Sequence, residues 1–66
     1  MVMVFLIPKL KKARFFAGLT QDRLSLLTGI DRARLSRIEN GYVSPTERER
    51  KIISRVLKMK PEELFD

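Results

Sequence analysis

Sixty-six residues make one domain at most, and a chain this short leaves little room for an internal substrate pocket. With no His and no Cys, the commonest general base, thiol nucleophiles, disulfides and zinc sites built from those ligands are all excluded. Fourteen Lys and Arg stand against eight Asp and Glu, a formal net charge of +6, and most of the excess lies in residues 1–41, which suits a polyanion such as nucleic acid or an anionic membrane surface. A merely solvated basic surface is the competing reading. No metal, cofactor or small-molecule ligand is suggested, and an enzyme is not expected.

The chain opens on an apolar run, Met1 to Ile7. No basic residue precedes it and no small-residue cleavage site follows, so it does not read as a signal peptide. It is also far short of the ~20 residues a spanning helix needs. A cytoplasmic protein without membrane attachment is therefore expected. The run is rich in β-branched and aromatic residues, which predicts a short strand. With no partner strand in sight, pairing with the same segment of a second copy would make a homodimer; a packed or disordered tail is the alternative. Residues 8–66 form the domain proper.

Gly18, Gly29 and Gly41 each follow a helical-looking segment, and Pro8, Pro45 and Pro61 each precede one. Gly suits the turn just past a helix, and Pro suits the first helical position. Five helices are predicted. The first runs from about Pro8 to Ala17, with Leu10, Ala13 and Phe16 or Ala17 on one side. The second is capped by Thr20 and runs from Gln21 to Thr28, with Leu24 and Leu27 as its inner stripe. The third is capped by Asp31 and runs from Arg32 to about Asn40. The fourth is predicted to start with Ser44 as cap, Pro45 at the first position and Glu47 closing a capping box; its apolar positions are Ile52, Ile53, Val56 and Leu57. The fifth is a short turn from Pro61 to Phe65, with Glu62 and Glu63 near its positive end.

The second and third helices are joined by a tight turn at Gly29, and Ile30 should plug the gap between them. Successive helical residues rotate by about 100°. On the third helix, Leu35 and Ile38 then face inward, while Arg32, Ala33, Ser36, Arg37 and Asn40 gather on the opposite side and Arg34 lies at the margin. Such a helix, roughly 10–12 Å thick, fits a DNA major groove about 12 Å wide. Arg can grip guanine with two donors, and an Ala methyl can touch thymine. An ordinary solvated helix remains the competing reading on geometry alone.

Residues 10–66 resemble the Cro/CI-type (XRE-like) helix-turn-helix repressors. The resemblance rests on Leu19-Thr20-Gln21, Leu24, Thr28-Gly29-Ile30-Asp31, Leu35 through Gly41, and Pro61-Glu62-Glu63-Leu64-Phe65. It implies an all-α, five-helix lambda-repressor-like fold with helix 3 as recognition helix. It implies that Gln21 contacts a phosphate and supports that helix, that Arg32, Ala33 and Arg37 face base edges, that Arg34 and Ser36 lie near the backbone or groove wall, and that Asn40 and the Gly41 backbone contact phosphate. It further implies that Arg14 and Glu39 form a scaffold ion pair between helices 1 and 3. Ser25 stands where the family usually has Ala, Arg32 and Arg34 replace more usual polar residues, the apolar start is an addition, and the dimerisation or effector domain that often follows is not seen.

The function so implied is a sequence-specific regulator of double-stranded DNA, a repressor acting as a homodimer on a palindrome. An antitoxin-like or adaptor module that docks a protein is the alternative. Other patches read more plainly. Lys9, Lys11, Lys12 and Arg14 open helix 1, where phosphate contact competes with a solvated face, the latter favoured for Lys11 and Lys12. Glu47 to Lys51 alternate in sign and predict salt bridges within helix 4. Phe15, Phe16 and Tyr42 can stack on bases in a single-strand binder, but packing in the core or on the surface is favoured. Met3 and Met59 read as gap fillers.

Overall fold

A computed structural model describes residues 9–65. The predicted strand and dimer contact in residues 1–7, Met3 as a gap filler and Pro8 as a helix start all lie outside the described residues. Five helices follow in order: α1 Lys9–Phe16, α2 Gln21–Thr28, α3 Arg32–Glu39, α4 Glu47–Leu57 and α5 Pro61–Phe65. No strand occurs among the described residues.

Local chemistry explains most of the boundaries. Thr20 caps α2 by accepting from the Arg23 N–H, and Asp31 caps α3 by accepting from the Ala33 N–H. Between them Gly29 adopts φ +77°, a left-handed conformation that an L side chain enters only with strain. Its N–H donates to the Ser25 carbonyl at 2.8 Å, closing α2. At the end of α3, Gly41 has φ +78°; its N–H donates to the Ile38 carbonyl and that of Tyr42 to the Arg37 carbonyl. That pair of bonds is a Schellman closure.

The start of α4 differs from expectation. The cap is Thr46, not Ser44, and the capping box is closed by Glu49, not Glu47; Pro45 therefore precedes the cap instead of opening the helix. Ser44–Glu47 and Thr46–Glu49 have the same spacing and are locally equivalent. The second is selected because Glu49 also reaches Arg34 on α3.

Every helix contributes to one core. Leu10 of α1, Leu24 of α2, Leu35 and Ile38 of α3, Ile53 and Leu57 of α4 and Leu64 of α5 are buried, and Ile30 fills the gap at the turn as expected. Ile52, Val56 and Met59 pack half-buried against it. Two expectations for the inner stripes fail. Phe16 is 76% exposed and Ala17 is exposed, because α1 turns Arg14 inward to Glu39 and this carries Phe16 off the buried side. Leu27 is 47% exposed; Gln21, Ser25 and Thr28 lie half-buried around the buried Leu24, with the Ser25 hydroxyl donating to the Ile30 carbonyl, so the inner side of α2 centres on them and leaves Leu27 at its edge. Phe15 and Tyr42 are exposed as well, with Phe15 meeting Phe16 edge to face at 6.1 Å; none of the three aromatics enters the core.

Candidate nucleic-acid interface

The candidate interface is built around one buried carboxylate. Glu39, at the end of α3, is 1% exposed. Arg14 of α1 donates to it through Nε at 2.6 Å and Nη2 at 3.3 Å, and Gln21 of α2 donates through Nε2 at 2.9 Å. Arg14 also donates to the Leu19 carbonyl. Three helices are thus tied to one side chain. The expected ion pair between Arg14 and Glu39 is present, and Gln21 supports α3 directly through the same carboxylate.

The outward side of α3 carries the remaining predicted residues. Leu35 and Ile38 are buried as expected, while Arg32, Ala33, Arg37 and Asn40 are exposed and Ser36 is half-exposed. The three arginines differ in engagement. Arg32 pairs with Asp22 of α2 at 3.2 Å, with both side chains well exposed, so water competes and the pair is weak. Arg34 donates to Glu49 through Nε and Nη2, a fork that crosses from α3 to α4. Arg37 has no partner for its side chain among the described residues. The Asn40 side chain donates back to the Ser36 carbonyl at 2.9 Å and lies 3.4 Å from the Ser36 hydroxyl.

The contact between Arg34 and Glu49 was not legible in the sequence, where Glu49 reads as part of a self-paired helix. The hydrogen bonds from Arg34 are the main reason its carboxyl is lowered from an ordinary 4.5 to about 2; desolvation opposes them, and the Thr46 N–H adds to them. Glu49 raises the pKa of Arg34 in return, chiefly through the same hydrogen bonds. This charged clamp fixes the first turn of α3 against α4, as Glu39 fixes its last turn against α1 and α2.

Among the described residues no group of three or more His, Cys, Asp or Glu is placed to hold a metal ion. No helix there is long and apolar enough to cross a membrane. Lys9, Lys11 and Lys12 are exposed along α1.

Two short helices folded about a left-handed glycine, the second held at both ends with its polar side outward, define a DNA-binding helix-turn-helix unit. The sequence agrees: a helix-turn-helix family model matches residues 10–64, and the chain belongs to that family, the Cro/CI-type (XRE-like) DNA-binding regulators. No curated protein and no solved structure matches it significantly.

Proposed function

We propose that this chain is a sequence-specific, non-enzymatic transcriptional regulator working in the cytoplasm, a repressor that reads the major groove of duplex DNA with α3. The observation that carries the reading is the division of α3 into two sides. Leu35, Ile38 and Glu39 are locked into the body, and the opposite side offers Arg32, Ala33, Ser36, Arg37 and Asn40 to solvent. Arg37 is the main base-reading side chain, since it alone of the three arginines on α3 has no partner to leave among the described residues. Ala33 contacts a thymine methyl beside it. Arg32 exchanges its weak contact with Asp22 for the DNA. Gln21 and Asn40, with the Gly41 backbone, meet phosphates. Arg34 stands at the groove wall, where its fork to Glu49 orients the helix.

One such helix reads few base pairs. A homodimer doubles the site and calls for a palindrome with half-sites about 34 Å apart. Exposed Phe15, Phe16, Leu26, Leu27 and Tyr42 favour self-association, with residues 1–7 adding to the contact. The same exposed side chains favour the second reading, an antitoxin-like or adaptor module that docks a protein. Salt separates the two: DNA binding falls steeply as counterions are released, whereas an apolar contact does not.

The test of the leading reading is a pair of variants assayed on a selected site and on random DNA. Arg37→Ala should weaken the selected site by about 10-fold or more with little effect on random sequence, while Lys12→Ala weakens both alike. Equal losses on both DNAs for Arg37→Ala would remove Arg37 from its role.

A further inference from the structure

Helix α4 begins Glu47-Arg48-Glu49-Arg50-Lys51, which reads locally as a self-neutralising run. The fold separates the signs in part: Glu47 stays exposed one turn before Lys51, but the other charges are sorted. Glu49 turns to Arg34 on α3, and the Arg50 guanidinium lies 5.1 Å over the Phe65 ring of α5. At about 100° per residue, Arg48, Lys51 and Arg55 then share roughly 60° of arc, opposite the buried Ile53 and Leu57, and Lys58 follows as the left-handed cap of the helix. All four are exposed, and none has an ion-pair partner among the described residues. At 1.5 Å per residue they span about 15 Å. Like charges one turn apart repel, so an anion laid along this line relieves the helix.

Beside the stripe, between α4 and the end of α2, lies an open hollow of about 310 Å³ lined by Thr28, Arg48, Lys51, Ile52 and Arg55. No acidic side chain lines it. The Thr28 hydroxyl is turned inward to the Leu24 carbonyl, so the polar character of the hollow comes from its three cations, beside an apolar contribution from Ile52. The stripe is also separate from α3. Glu49, the residue α3 holds, lies about 130° round α4 from the middle of its helical cations. The stripe therefore points away from the side of α4 that meets α3.

We propose that the outer face of α4 is a second phosphate-backbone surface, on which the domain holds a second segment of duplex DNA while α3 occupies the first. A DNA strand presents one phosphate per 3.4 Å of axis, so about 15 Å faces roughly four phosphates with four cations. Flexible Lys and Arg with no amide side chain among them fit backbone contact independent of sequence. The identity of the first segment rests on the reading of α3 given above; the stripe itself does not.

The test is a titration of the full chain, isotopically labelled, with a random-sequence duplex of 16 base pairs, followed by amide shifts. With excess duplex, shifts are expected in residues 32–40 and, separately, in residues 48–58, with two duplexes bound per chain. The second step should show a log–log salt slope of about −3.6, from four contacts at roughly 0.9 each. The variant Arg48→Gln/Lys51→Gln/Arg55→Gln/Lys58→Gln should lose the second duplex and keep the shifts in α3, which also shows that it folds. Shifts in α4 without any in α3 would support the stripe while removing the proposed function. Three results would overturn the stripe: unmoved amides in 48–58, both clusters moving together with a single duplex per chain, or α4 responding to a glutamate decapeptide and not to DNA.

Discussion

Glu39 gathers donors from two other helices, Arg14 of α1 and Gln21 of α2, and is almost fully buried. Its charge is met inside the fold by Arg14, and removing either member of that ion pair leaves the other without its counter-charge. Breaking such a buried pair on one side costs about 3–5 kcal/mol, comparable with the whole stability of a domain this small. Glu39→Ala should therefore unfold the chain or lower its urea midpoint by most of its value, and a midpoint unchanged from the parent would show that the carboxylate is not structural. Ser54 is the opposite case. Its hydroxyl is buried in α4 with no hydrogen-bond partner among the described residues, so it loses water and gains nothing in return. Ser54→Ala should raise stability by about 1 kcal/mol, through removal of that penalty and better helix propensity, read from the same denaturation curves.

At the scale of helices, α3 is secured at its first turn by Arg34 against Glu49 and at its last by Glu39. The first of these is sensitive to acid. The carboxyl of Glu49 is lowered to about 2 in the fold, chiefly by Arg34, against an ordinary 4.5. A lowered carboxylate adds stability that is fully present above about pH 4.5 and is lost as pH falls toward 2. The parent should lose stability through that window, and Glu49→Gln should lose less, as measured by chemical denaturation at stepped pH. Helix starts set by one local cap, at Thr20 and Asp31, were legible in the sequence, as were the turns at Gly29 and Gly41. The start of α4 was not, because two equivalent capping patterns overlap and Arg34, distant in sequence, decides between them. The inner stripes of α1 and α2 were read too widely, since on an eight-residue helix the half-buried polar residues, Arg14 in α1 and Gln21, Ser25 and Thr28 in α2, take up part of the inner arc.

At the scale of the molecule, described residues span 34 × 22 × 22 Å around a core to which all five helices contribute, and α3 lies on it with one side sealed and one side open. The outward set on α3 was legible because helical rotation alone sorts Arg32, Ala33, Ser36 and Arg37 from Leu35 and Ile38. What rotation does not show is engagement: Arg34 is held by Glu49, Arg32 touches Asp22, and Arg37 remains available. The proposed readout therefore depends on Arg37 meeting a base edge. The most direct measurement replaces guanines in a selected site by 7-deazaguanine, which removes the N7 acceptor, and compares the parent with Arg37→Ala. The parent should lose about 5- to 100-fold in affinity at one guanine of each half-site, and Arg37→Ala should lose no more there. An equal loss in both proteins, or no loss in the parent at any guanine, would contradict it.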